Sequence, residues 1–547
     1  MKFRHEVSDQ KLRGGYYTPP AMVSFCLSRV DALAQLLPRK WLEPSAGDGA
    51  FVRGLSERPG ASSIKLTCVE LDPVEAAKCR RELVEHKVSG TVIGDSVFPW
   101  LASEKTKADF DVVIGNPPYV RYQFLSDEDR TAAEKLASEH GLSIQGVSNA
   151  WILFALLTML RLRVGGVFCM VLPAEMIATI SAGQFRNALV THFECAQIDM
   201  FQRGTFPGLL QDVVVVSGRR SKPVVGGRSV TFVEHGTQSI RWNWHVDPGP
   251  EPWTRYLLSQ GERESLDRAQ SLPQVCELGS LARLQVSVVT GANAYFTISD
   301  ELVEQYDLEP WAVPLLARTS HSPGIRFTTR DFGTARKNGA RSWLLDFSTD
   351  RPRPDGKGVL EYIALGESLG IPSRYKCRVR KPWYRVPHIV SGAVMLTKRA
   401  HQHHRLLLNA AGVVTTDTVY RGKPLNGYKS ADLVAVFHNS LTILSSELEG
   451  RTYGGGVLEL VPTEISRVRI PWVPGFGQHL AVLDKLSRAS EGQKDTEDRL
   501  AMMTDAKIID EIPEYAKVLP GLYDARRRLR NRRFVGATDT EIEFEAD

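Results

Sequence analysis

From Arg39 to Arg220 the chain alternates short apolar runs with amphipathic stretches, and this alternation restricts the fold more than any other feature. Candidate strands are RKWLEP (39–44), IKLTCVELD (64–72), TVIGD (91–95), DFDVVIGN (109–116), GGVFCMVLP (165–173), CAQIDMF (195–201) and DVVVVSGRR (212–220). Helical patterns such as DPVEAAKCRRELVEHK and SAGQFRNALVTHF lie between most of them. Strands alternating with helices imply an α/β fold with a doubly wound, mostly parallel sheet covered on both faces. The last runs, DVVVVSGRR and RSVTFVEH, have no helix between them and are expected as an antiparallel addition at the sheet edge.

At 547 residues the chain exceeds what one core usually carries. The expected division is residues 1–245, a second α/β domain over 246–475 and a helical extension over 476–547. The proline- and glycine-rich HVDPGPEPW (245–253) is read as the linker. The longest apolar run, AWILFALLTML, falls short of the roughly 20 residues that span a bilayer. The N-terminal MKFRHEVSDQK lacks an apolar segment, so no secretory signal is expected. Seven cysteines without a C-x-x-C pair suit reduced thiols in the cytoplasm. HQHH at 401–404 has no acidic or cysteine partner nearby in sequence, and no metal site is expected there. A net charge of +5 permits a polyanionic partner without requiring one. The basic run ARRRLRNRRF (525–534) is read as a solvated face or a frayed end and is given no chemistry.

In an open parallel sheet, ligands sit beyond the carboxyl ends of the strands. WLEPSAGDGAF places Glu43, Pro44, Ser45, Ala46, Gly47 and Gly49 in the turn after the first strand. A dinucleotide loop or P-loop fits poorly. There is no Gly-Lys-Ser/Thr, Val52 stands where a third glycine is needed, and Glu43 and Asp48 would repel a pyrophosphate. An acid-lined glycine loop suits a cationic, phosphate-free nucleoside such as S-adenosylmethionine. Glu70 ends the second strand, placed to accept from ribose hydroxyls, and Asp95 ends the third, placed to accept from an adenine amino group. The fourth strand ends in Asn116-Pro117-Pro118-Tyr119, where the prolines stop the sheet and stiffen the corner.

GGYYTPP, LEPSAGDGAF, VELDP, GDSVFPW and IGNPPY occur in the order and spacing of the gamma-class, Taq-type adenine-N6 DNA methyltransferases, which the chain resembles over roughly residues 14–220. VVTGANAYF, KPWYRVP and RTYGGGVLELVP look like pieces of that group's target-recognition domain. The resemblance implies a class I methyltransferase fold using S-adenosylmethionine. It makes the Asn116 side-chain oxygen and the Pro117 carbonyl the acceptors for an adenine amine, with Pro118 helping to fix that carbonyl. Tyr119 becomes the stacking platform for a flipped base, and Phe206, in GTFPG, packs on the base edge. Asn116 also borders the cofactor. Tyr17 and Thr18 fit the segment that closes over its methionine moiety, with Thr18 the polar contact. Several relatives carry an aromatic where this chain has Ser96; either Phe98 replaces it on the cofactor's adenine or the contact is absent.

Asn-Pro-Pro-Tyr serves other planar amines too, so RNA, protein-glutamine and cytosine-N4 methyltransferases remain alternatives, as does a catalytically silent DNA-binding specificity protein. The motif order and the large appended domain favour double-stranded DNA. In RYKCRVRKPWYRVP, basic residues alternate with Trp383 and Tyr384; these aromatics either contact DNA or belong to that domain's own core. A monomer on DNA is expected, either paired with a separately encoded restriction endonuclease or acting alone; the cofactor segment begins too early for a fused nuclease in front. The recognised sequence is not legible.

Overall fold

The computed structural model describes residues 17–103, 110–201, 205, 213–236, 239–453, 456–489 and 496–534. Phe206 lies outside them. The described residues fall into two compact units, the first comprising residues 17–259 with 532–534 and the second running from Gln260 to Asn531.

The first unit is built on a nine-stranded sheet. Its strands are β1 (Lys40–Glu43), β2 (Lys65–Val69), β3 (Gly90–Ile93), β4 (Phe110–Gly115), β5 (Leu162–Pro173), β6 (Phe193–Phe201), β7 (Val213–Arg220), β8 (Arg228–His235) and β9 (Ile240–Val246). Their order is β3-β2-β1-β4-β5-β7-β6-β8-β9. The pairs from β3 across to β5 are parallel, and β7 is antiparallel to both of its neighbours. This α/β topology is that of a class I methyltransferase.

Several helices cover the sheet: α1 (Pro20–Leu33), α2 (Ala50–Ser56), α3 (Pro73–Glu85), α4 (Val97–Ala102), α5 (Asp127–Glu139), α6 (Ala150–Met159) and α7 (Gly183–His192). Helix α1 buries Met22, Val23, Cys26, Leu27, Val30 and Leu33, a stripe at helical spacing that faces the sheet. Asp72 starts α3 by accepting from the N–H groups of Val74 and Glu75, with Pro73 at the first helical position. Every residue of α6 is buried, so the longest apolar run is a core helix. Among the described residues no helix is long and apolar enough to cross a membrane.

The sheet edge differs from expectation. β7 is antiparallel but interior, between β5 and β6, and β8 runs parallel to β6. The antiparallel edge is β9, which is not among the expected strands. Burial explains the arrangement. Val213 to Gly218 are buried on both faces of β7, which requires a central position, whereas in β9 the exposed Asn243 and His245 alternate with partly buried Trp242 and Trp244. The stretch read as a linker is pinned within this unit: the Gly249 N–H donates to Asn187 Oδ1 at 2.9 Å, and the buried Trp253 donates its N–H to the Ile177 carbonyl at 2.7 Å.

The second unit contains a five-stranded sheet built from Ala282–Val286, Val419–Pro424, Val394–Thr397, Leu406–Asn409 and Arg326–Phe327, in that spatial order. Helices α8 (Lys357–Ser368), α9 (Tyr375–Arg378), α10 (Ser430–Phe437) and α11 (Ser440–Glu449) belong to it. So do the tail helices α12 (Leu480–Ala489), α13 (Thr496–Glu511) and α14 (Leu519–Phe534) up to Asn531. The tail is bonded into the unit: Ser440 at the start of α11 donates its N–H to Asp505 of α13 at 2.9 Å. The basic run is not a solvated face, because Arg526 and Arg530 lie one helical turn apart and both bond to Asp498, at 2.6 and 2.7 Å.

Candidate active site

β1, β2 and β4 are adjacent, so the motifs at their carboxyl ends meet. Gly47 and Gly49 have φ of +53° and +86°, the left-handed region that lets the chain turn sharply out of β1 into α2. A Cβ at Gly47 would meet nothing within 4 Å, so this part of the loop opens onto free space. Glu70 ties the second strand end to the first: its carboxylate accepts from the Gly47 N–H and the Asp72 N–H, both at 2.8 Å. Burial pushes the Glu70 carboxyl up despite these two bonds. Each carboxylate oxygen keeps a further lone pair for a ligand hydroxyl. Ala46 is buried and donates its N–H to the Val69 carbonyl at 3.0 Å, and Ser45 donates its hydroxyl to the Asn116 carbonyl at 3.1 Å. The loop is therefore joined to the Asn-Pro-Pro-Tyr corner.

Glu43 sits beneath this loop and not on its surface. Its side chain is 1% exposed and receives the Cys68 thiol at 3.7 Å. Desolvation holds its carboxyl well above the usual range. Asp95 ends β3 on the exposed side and accepts from the Ser96 N–H at 2.7 Å. Ser96 caps α4 in position and bonds to Asp129. Phe98 is turned into the core against Phe154, ring centroids 4.9 Å apart, and does not lie on the open side with Asp95.

At the corner, the Asn116 carboxamide is held from two sides. Its Nδ2 donates to Thr18 Oγ1 at 3.3 Å, and its Oδ1 accepts from the Tyr119 hydroxyl at 2.8 Å. The same hydroxyl lies 3.3 Å from the Val171 carbonyl near the end of β5, a partner with no signal in the sequence. Pro117 is buried, Pro118 partly so, and the Tyr119 ring rests partly buried against the core. Tyr17 is exposed and donates its hydroxyl to Glu75 at 3.2 Å, at the start of α3. Tyr17 on α3 and Thr18 on Asn116 thus link these two residues to the second and fourth strand ends. Trp383 and Tyr384 are in the second unit, packed against its hydrophobic core: Trp383 lies 5.4 Å from Tyr295 and Tyr384 5.4 Å from Phe347.

Two family models match the chain. One, the Eco57I restriction-modification methylase, covers residues 72–206; the other, the C-terminal domain of the Type II methyltransferase M.Eco57I, covers residues 250–509. The chain belongs to the Type II restriction-modification methyltransferases. Within this family it is 23% identical over 476 residues to the Type II methyltransferase M.XamI of Xanthomonas campestris pv. amaranthicola, covering 84% of this chain and 85% of that one. It is 21% identical to M.AccI of Acinetobacter calcoaceticus, covering 81% and 82%. The solved Type ISP restriction-modification enzyme LlaGI, a nuclease-deletion mutant in complex with a DNA substrate mimic, aligns at a TM-score of 0.49 and 14% identity, over 86% of this chain and 55% of that one.

Gly49→Ala tests the loop. The new Cβ would meet Glu82 Cγ at 3.0 Å and the Cys79 backbone at 3.3 Å, at a φ that disfavours any side chain. At a cost of about 1–3 kcal/mol, the loop should shift and cofactor affinity should fall roughly tenfold or more, read by titration calorimetry. Gly47→Ala, with open space around its Cβ, should disturb the fold of the loop less, read as a smaller drop in thermal stability.

Proposed function

We propose that this methyltransferase transfers a methyl group from S-adenosylmethionine to the N6 amino group of adenine within a specific sequence of duplex DNA. One observation carries the reading: the open, acid-bordered glycine loop is joined through Ser45 to the corner that holds Asn116. Gly47 offers space where a side chain would intrude, and Glu70 and Asp95 supply carboxylates suited to a cationic nucleoside. Tyr17 and Thr18 would lie along its amino-acid end. When bound, S-adenosylmethionine supplies an electrophilic sulfonium methyl.

The residues of this chain do the rest. The exocyclic amine of adenine is a weak nucleophile because its lone pair is delocalised into the ring. Two acceptors, Asn116 Oδ1 and the Pro117 carbonyl, would draw its N–H bonds out of plane and free that lone pair. Both are fixed before the base arrives, the form in which electrostatic stabilisation is most effective. Holding the amine in line with the methyl contributes further. The base must leave the duplex at a cost of about a few kcal/mol. In that step Tyr119 would turn its hydroxyl from Asn116 and offer its ring for stacking. Phe206 would cover the base edge. We extend the reading to a monomer acting on DNA beside a separately encoded endonuclease, in keeping with relatives named as Type II methyltransferases.

The test is incubation of the protein with duplex DNA and methyl-labelled S-adenosylmethionine, followed by digestion to nucleosides. Label in N6-methyldeoxyadenosine is the expected result. Label in N4-methyldeoxycytidine would transfer the site to cytosine, and label confined to RNA or protein glutamine would overturn the reading.

A further inference from the structure

Between Ile371 and Thr416 the chain carries nine lysines and arginines and no aspartate or glutamate, although it holds 63 acidic residues overall. Three of these cations are used internally at the far end of the stretch: Lys398 and Arg399 pair with Glu459, and Arg405 donates to the Ser322 and Gly324 carbonyls. The near end behaves differently. Arg374, Lys376, Arg378 and Lys381 are exposed, and none forms an ion pair among the described residues. Arg380 and Arg385 bond inward, Arg380 to the Val289 and Thr290 carbonyls at 2.7 Å and Arg385 Nε to the Phe347 carbonyl at 3.3 Å.

The apolar residues of the same segment explain why the cations face out. Ile371, Cys377 and Val386 are buried, and Trp383 and Tyr384 pack on the core. The interleaving of basic and aromatic residues is thus a division of labour: the aromatics fasten the segment, and the charges are left on its outer side. Tyr375 is the exception. It is 51% exposed, with Lys376 Nζ and the Arg378 guanidinium 5.5 and 5.6 Å from its ring centroid.

A solvated protein face usually intersperses charges of both signs. Cations of one sign crowded around a four-residue helix repel one another, and a polyanion relieves that repulsion. Duplex DNA presents a phosphate about every 1.7 Å along its axis, so neighbouring cations can each displace a counterion.

We propose that Arg374, Lys376, Arg378 and Lys381 form a phosphate-gripping surface of the second unit, which holds duplex DNA without regard to base sequence. The proposal rests on DNA being the substrate, and it assigns Trp383 and Tyr384 to positioning this surface, not to contacting bases.

The experiment compares the full chain with a variant carrying Arg374→Gln, Lys376→Gln, Arg378→Gln and Lys381→Gln, measuring duplex affinity from about 50 to about 300 mM KCl. The slope of log K against log salt should become shallower by roughly two to four. Affinity should fall by a similar factor for duplexes with and without the methylated site. A companion variant with Arg374→Lys and Arg378→Lys keeps the charge and should retain the slope, and cofactor affinity should match wild type in both. An unchanged slope would overturn the proposal, as would a loss confined to the recognised sequence or equal, equally salt-dependent binding of wild type to single-stranded RNA. Wild type that binds duplex DNA through these cations yet methylates no base in it would instead refute the function proposed above and leave the phosphate surface standing.

Discussion

Asn116→Ala is expected to lower kcat by roughly 100- to 1,000-fold, the scale seen when one preorganised partner of a developing charge is removed. Cofactor affinity should stay within about threefold, because the cofactor loop does not depend on the lost side chain. Ser45 bonds to the backbone carbonyl of residue 116, and Glu70 holds Gly47 independently. What disappears is Oδ1, the acceptor now occupied by the Tyr119 hydroxyl. Tyr119→Phe is the informative companion. It keeps a ring for stacking but frees the carboxamide on one side, leaving the bond to Thr18 on the other. Because the Tyr119 hydroxyl must leave Oδ1 before the base is held, turnover should stay within about tenfold of wild type, the value of one hydrogen bond. Single-turnover methylation and calorimetric titration of the cofactor separate the two effects. Loss of cofactor binding with turnover preserved would contradict the role given to Asn116.

The strand ends were legible because each is set by local signals. Strands stop at Glu43, Val69, Ile93 and Gly115, and acid, glycine or proline comes within two residues. Such punctuation needs no knowledge of partners. The place of β7 in the sheet was not legible, since nothing local distinguishes an interior antiparallel strand from an edge one; its four consecutive valines were the available hint. β9 carried a period-two pattern, but it abuts the Pro-Gly run and its inward residues are tryptophans only partly buried.

The site shows the same limit at finer scale. Sequence brought Glu43, Glu70 and Asp95 to three strand ends, yet it could not separate a carboxyl beneath the loop from one beside it and one in the open. Depth is a tertiary property. Trp383 and Tyr384 fail to be legible for the same reason: alternation along a short irregular segment does not say which residues face in. The Asn116–Thr18 bond spans 98 residues of chain, and only the resemblance between motifs suggested that those two segments meet.

Asp498→Asn should destabilise the second unit by about 3–5 kcal/mol, the cost of leaving a buried charge without its partner. Arg526 is 1% exposed, and its Nε and Nη2 have no hydrogen-bond partner among the described residues. Its bond to Asp498 at 2.6 Å, shared with Arg530 at 2.7 Å, is therefore its main compensation, beside the attraction of the buried Asp505 and the Tyr523 ring 4.8 Å away. Burial alone would raise the Asp498 carboxyl, but His403, Arg530 and Arg526 together hold it well below the ordinary range. A folded-state pKa below the unfolded one means that the stabilisation is complete above the unfolded aspartate value of about 3.9 and is lost as pH falls toward the folded value. His403, pushed down to about 4 by burial, adds a separate loss between the unfolded histidine value of about 6.5 and that point. Thermal unfolding of the full chain at neutral pH should show the variant's second unit melting earlier, with the gap to wild type closing below about pH 4. Adding Arg526→Met to Asp498→Asn removes the orphaned charge and should recover much of the loss. A single variant as stable as wild type at neutral pH would mean that the buried guanidinium is compensated elsewhere, and that the basic run does not fasten the tail.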